Sequence, residues 1–168
     1  VKGWGGRVRA CEVAEGSGSR RAKGAGGAKI DGVLSDLSAP IERDCELAIV
    51  TEKTREGEAD ADALYLLRHS AAHVMAEAIQ RIVSGAELVY GPPLETGFYY
   101  DIRFPDDRPL KEGDFEAIEA EMVKIAKEDR AFTRYEMDAD AGMEKLRGEG
   151  SKYKVDNAER AIAASGDG

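Results

Sequence analysis

Between residues 64 and 84 the apolar positions recur with helical period. At ~100° per residue, Leu64, Leu67, Ala71, Val74, Met75, Ala78 and Ile82 fall on one stripe, which predicts the longest helix of the chain. His69, His73, Glu77 and Gln80 fall on the opposite side. Ala72 and Ala76, next to the histidines, have small side chains and predict room for a cleft.

Elsewhere the pattern is shorter. Residues 28–34 read as a hairpin, with Asp31-Gly32 as the turn between two apolar runs. A loop around Pro40 follows, then a strand at 46–50. Residues 51–62 are charged and poor in apolar groups, as a linker is. A strand is expected at 87–90, a break at Gly91-Pro92-Pro93, a turn at Glu95-Thr96-Gly97 and a second, pairing strand at 98–104. Asp114 is the expected cap of a helix running to about 129, with Phe115, Ile118, Met122 and Ile125 as its apolar face. A strand at 132–137, short helices at 139–147 and 156–164, and a strand or helix entry at 152–155 complete the expected elements. Residues 1–27 hold eight glycines, each costing about 1 kcal/mol inside a helix, so an irregular segment is expected there.

The 168 residues suffice for one ordinary domain or two small ones, and 42% hydrophobic with 34% charged content excludes a disordered chain. No run reaches the ~20 apolar residues of a membrane span and no signal peptide is seen, so a cytoplasmic protein without membrane partners is expected. Residues 1–29 carry seven basic and two acidic residues, a net of +5, which leaves −14 of the total −9 for the rest. An acidic body grips nucleic acid poorly by itself, because phosphate affinity comes from Lys and Arg. Cys11 and Cys45 share no motif and read as reduced thiols.

His69 and His73 are the only histidines. Four residues apart on a helix, both imidazoles project from one face, a spacing that lets two rings share a metal ion, a water or a substrate. On spacing alone, a purely structural pair remains an alternative. As zinc ligands they supply two of the three or four that zinc needs, and Ser70 stands where a metalloprotease needs its glutamate. A histidine can also position or deprotonate a water for hydrolysis, with a tyrosine or lysine holding the developing charge. Tyr99, Tyr100 and Lys154 are of the right type.

Two strings then narrow the reading: Leu67-Arg68-His69-Ser70-Ala71-Ala72-His73-Val74-Met75-Ala76 and Gly91-Pro92-Pro93-Leu94-Glu95-Thr96-Gly97-Phe98-Tyr99-Tyr100-Asp101. Together with residues 115–128 and 153–162 they resemble the editing domain of the threonyl-tRNA synthetases. Residues 29–37 and 44–51 are similar to the TGS module, a small β-grasp unit, that precedes it. The resemblance implies an α+β chain: an irregular or degraded TGS start at 1–27, the TGS remainder at 28–53, a linker at 54–63 and a C-terminally incomplete editing domain at 64–168, its long H-x-x-x-H helix packed on an antiparallel sheet. The family's domain continues into a C-x-x-x-H element that this sequence lacks, which implies a fragment inactive by itself.

The resemblance further implies hydrolysis of mischarged Ser-tRNA(Thr), with His69, His73, Lys154 and Tyr100 lining the site. His69 and His73 are its candidate zinc ligands, while ATP and a second zinc belong to the family's aminoacylation core. The acceptor end of tRNA(Thr) and the rest of the synthetase, a homodimer through other domains, are the implied partners. Two alternatives stand beside it: a stand-alone TGS-type binding or regulatory module, and an alanyl-type zinc-dependent trans-editing hydrolase.

Overall fold

A computed structural model describes residues 8–54, 57–107 and 109–165. The chain mixes helices with antiparallel strands and divides into two compact units, one formed by residues up to Ser70 with Pro93–Gly97, the other by Ala71–Pro92 with the rest from Phe98. The dividing point lies inside one continuous helix.

In the first unit, β1 (Val8–Arg9) leads into α1 (Ala10–Gly16) and α2 (Ser19–Gly24). The irregular segment expected over 1–27 is therefore regular from residue 8, while residues 1–7 lie outside the described part. The glycines explain the miss. Gly16 and Gly24 are the last residues of the two helices, and Gly18 separates them at φ 127°, so each sits where a helix ends. The Arg9 N–H donates to the Glu12 carboxylate at 2.9 Å and closes the start of α1. Ala10 and Ala14 are buried as α1 packs on the sheet.

That sheet has the order β3-β2-β5, from β2 (Ala25–Ile30), β3 (Val33–Ser35) and β5 (Leu47–Thr51), all antiparallel. Asp31 and Gly32 both have positive φ, 50° and 82°, the mirror-image turn that matches strand twist. The Asp31 carboxylate accepts from the Glu46 N–H at 2.8 Å, and this bond, with the Arg43 ion pair second, holds it below the ordinary carboxylate range. β4 (Pro40–Ile41), in the stretch expected to be a loop, pairs with β1.

The long helix α3 spans Ala61–Ile82, so residues 61–63, expected in the linker, form its first turn. Asp60 accepts from the Ala63 N–H there at 3.0 Å, and Asp62 pairs with Lys29 of β2. The buried residues of α3 are Ala72, Ala76, Ala78 and Ile79, whereas Leu67 is 62% exposed. The apolar face thus differs from the expected stripe. The alanines expected to border a cleft are packed, because small side chains let neighbouring elements approach the helix.

In the second unit Ala78 and Ile79 meet Ala86, Ile118 and Ile125 in one core cluster, flanked by Val74, Met75, Ile102 and Met122. Ile118 and Ile125 come from α4 (Glu112–Lys127). Asp114 serves from the third position of that helix, accepting from the Lys111 N–H at 2.9 Å, not as the cap itself. Phe115, expected in the apolar face, is half exposed. Asp129 follows α4 at φ 46°. Arg81 binds Glu77, Glu121 and Glu128 at 2.7, 3.2 and 2.6 Å, and Arg130 joins Glu77 and Glu128, so α3 and α4 share an ion network.

The strand expected at 98–104 is split. β8 (Gly97–Phe98) pairs with β7 (Pro93–Leu94), and β9 (Asp101–Arg103) pairs with β6 (Glu87–Tyr90) in the register Glu87↔Arg103, Leu88↔Ile102. A register shift between Leu88 and Tyr90 marks the irregularity, and the break falls at Tyr99-Tyr100. Residues 132–137 form no strand: Phe132 is 96% exposed and lacks an apolar face to pack on. The chain closes with α5 (Ala139–Gly148), capped by Asp138 on the Ala141 N–H, and α6 (Lys152–Ser165). Among the described residues no helix is long and apolar enough to cross a membrane.

Candidate functional site

His69 and His73 both lie on α3, one turn apart. Helix geometry alone gives them a common face. Their surroundings differ. His69 is partly buried and its ring stands edge-on to Tyr65, centroids 6.4 Å apart at 66°, a contact within the helix. His73 is exposed and its ring stands edge-on to Tyr100, centroids 6.2 Å apart at 74°.

Tyr100 comes from the break between β8 and β9 and is only partly exposed. Burial pushes its phenol above the ordinary value, and the positive charge of Lys154 pulls partly the other way. At neutral pH the phenol is a protonated donor. Lys154 lies in the first turn of α6 and pairs with Glu149 at 3.0 Å. The Asn157 amide donates to the Val89 carbonyl of β6 at 3.4 Å, which ties α6 to the strand. Lys154 also lines a cavity of about 290 Å³ together with Gln80, Glu87, Glu149, Ser151 and Tyr153.

The structure therefore brings His73, Tyr100 and Lys154 into one neighbourhood of the second unit. This set can do hydrolytic chemistry: an imidazole to hold or deprotonate a water, a neutral phenol to donate, and a cation to act on developing negative charge. Among the described residues no three His, Cys, Asp or Glu side chains are grouped to hold a metal ion. Within the described residues the two histidines would thus supply two of the three or four ligands of a zinc site.

Three contacts around these residues escaped sequence reasoning. Arg68 donates from its Nη1 to the carbonyls of Leu94 and Glu95, holding the β7–β8 turn against α3 beside His69. Glu149 partners Lys154 from the end of α5. Gly91 lies against the Tyr100 ring. Only Gly91 carried a signal, as a glycine before two prolines, and that signal read equally well as a plain chain break.

The comparisons with known proteins agree in one direction. A threonine–tRNA ligase of Symbiobacterium thermophilum is 44% identical over 138 residues, 82% of this chain and 20% of the relative. That of Burkholderia mallei is 42% identical over 158 residues, 94% of this chain and 24% of the relative. The chain is a homologue of the threonine–tRNA ligases. A third such ligase, from Paramagnetospirillum magneticum, is 42% identical over 149 residues, 89% of this chain. The chain spans about a fifth to a quarter of the length of these ligases. No family model matches it.

Proposed function

We propose that the chain is the N-terminal part of a cytoplasmic threonine–tRNA ligase, and that it serves post-transfer editing there. The antiparallel sheet and its packed helix, within residues 8–53, form the TGS module. Residues 64–168, with α3 from Leu64 on, belong to the editing domain. The observation that carries the reading is the grouping of His73, Tyr100 and Lys154 in a chain homologous to threonine–tRNA ligases.

The physical need is plain. Serine lacks one methyl of threonine, and a pocket discriminates one methyl by roughly 1–3 kcal/mol, about 10–200-fold. A second, hydrolytic site raises the selectivity. The substrate is Ser-tRNA(Thr). A water held by His73, with His69 one turn away, attacks the carbonyl carbon of the seryl ester. The Tyr100 hydroxyl donates to the substrate, and the Lys154 cation stabilises the negative charge that develops on the oxygen. The bond from that carbon to the ribose oxygen then breaks. The water's proton passes through the imidazole to the ribose oxygen, and serine and tRNA(Thr) are released.

The test is deacylation of Ser-tRNA(Thr), measured with this chain and with the chain exchanged for the matching segment of the Burkholderia mallei ligase. Hydrolysis by the exchanged enzyme that His73→Ala strongly reduces is expected. Equal hydrolysis before and after that substitution overturns the reading.

A further inference from the structure

We infer that Gly91 is a positioning residue of this site, one that sets where the Tyr100 ring stands relative to His73; the inference rests on the hydrolytic reading above for its functional consequence and on geometry for the rest. A Cβ placed on Gly91 would lie 2.3 Å from Tyr100 Cδ2 and 2.6 Å from both Cε2 and Cγ. No side-chain carbon tolerates such contacts. On the side where a side chain would project, the space is therefore taken by the Cγ–Cδ2–Cε2 side of the Tyr100 ring.

Backbone conformation does not account for this glycine. The glycines of the described residues with positive φ are Gly18, Gly32, Gly57, Gly85 and Gly150, and Gly91 is not among them. Its φ is open to any residue, so what requires glycine is the ring alone.

The clash cannot be relieved cheaply. Tyr100 meets the site with ring atoms beginning at Cγ, not with the tip of a flexible chain. Pro92 follows directly, which restricts Gly91 to extended backbone, and Pro93 fixes the next φ but one. The ring must then move, and with it the edge-on contact it makes with the His73 imidazole at 6.2 Å. In this arrangement Gly91 acts through Tyr100.

The chain has two histidines, so labelled imidazoles give two separable signals that report the two rings directly. Expected for Gly91→Ala is a displacement of the His73 ring signals like that of Tyr100→Ala, with those of His69 in place. In the double variant Gly91→Ala/Tyr100→Ala the alanine meets open space, so its melting temperature and His73 signals match those of Tyr100→Ala alone. That double variant also keeps the test valid should Gly91→Ala by itself fold poorly. In the exchanged ligase, Gly91→Ala lowers kcat for Ser-tRNA(Thr) deacylation up to about 10²-fold with KM little changed, the scale of an ångström-sized misplacement.

Unmoved His73 signals in Gly91→Ala, or a stability loss that persists undiminished in the Tyr100→Ala background, overturns the inference. Displaced His73 signals with unchanged hydrolysis keep the ring placement and overturn the hydrolytic reading of the site instead.

Discussion

The two ends of α3 make an instructive pair. At the first end His69 meets Tyr65, four residues earlier on the same helix, so any chain that forms this helix forms that contact. At the second end His73 meets Tyr100, 27 positions further along, and the contact depends on Gly91 and the pairing of β6 with β9. Identical residues at helical spacing thus acquire different environments, one local and one tertiary. On the proposed reading the catalytic weight belongs with the tertiary one, since there a partly buried phenol and the Lys154 cation accompany the imidazole.

The largest effect expected from this contrast is on hydrolysis. In the exchanged ligase, His73→Ala lowers deacylation of Ser-tRNA(Thr) by about 10²–10⁴-fold, the usual scale for a positioned acid–base group, and His69→Ala lowers it less. A single-turnover assay ranks the two, and the reverse order breaks the contrast.

Stability comes next. Ile79→Ala in the second end removes a nearly fully buried side chain and costs about 2–5 kcal/mol. Leu67→Ala in the first end, at 62% exposure, stays within about 0.5 kcal/mol. Urea unfolding curves measure both.

The ends also differ in how pH reaches them. Arg130 chiefly holds the Glu77 carboxyl, Lys124 the Glu121 carboxyl and Arg81 the Glu128 carboxyl below their ordinary values, and Arg81 contributes to all three. A carboxyl that is more acidic in the fold than in the unfolded chain favours the fold above its unfolded pKa. That contribution disappears as pH falls through about 4 and lower. Arg81→Gln therefore flattens the acid side of the stability profile. At the first end the Asp62 carboxylate holds Lys29 above its ordinary value. This contribution is complete below the unfolded lysine pKa, about 10.4, and is lost as pH rises through the higher folded value. Asp62→Asn flattens the alkaline side. Urea midpoints across pH read both, and exchange of the two effects between the variants contradicts the assignment.

Smallest is the Arg68 clamp. Its carbonyl bonds are solvent-exposed, so Arg68→Ala costs under about 1 kcal/mol overall. Faster amide exchange confined to the β7–β8 turn and the adjoining turn of α3 is its signature.

What the sequence reveals follows the same division. The Asp31-Gly32 hairpin, the β5 strand and the extent of α3 rest on turn chemistry and periodicity, and they are found within a few residues of expectation. The shared helix of the two histidines was equally open to view. The buried face of α3 was not, because Ala72 and Ala76 score as weakly apolar and are buried by what approaches them. Nor was the split at Tyr99-Tyr100, where aromatic alternation mimics one strand while the chain leaves one ladder and enters another. Phe132 to Met137 shows the opposite error: a strand-forming composition with no pairing partner among the described residues. Residues 8–24 show that counting glycines misleads where their positions coincide with helix ends.

Asp129 carries one last consequence. It ends α4 in left-handed backbone and brings a negative charge to the negative pole of the helix, so two local penalties coincide on one residue. Asp129→Gly, which relieves both, is expected to steady this terminus, read as slower amide exchange at residues 127–129 with the Ile118 end unchanged.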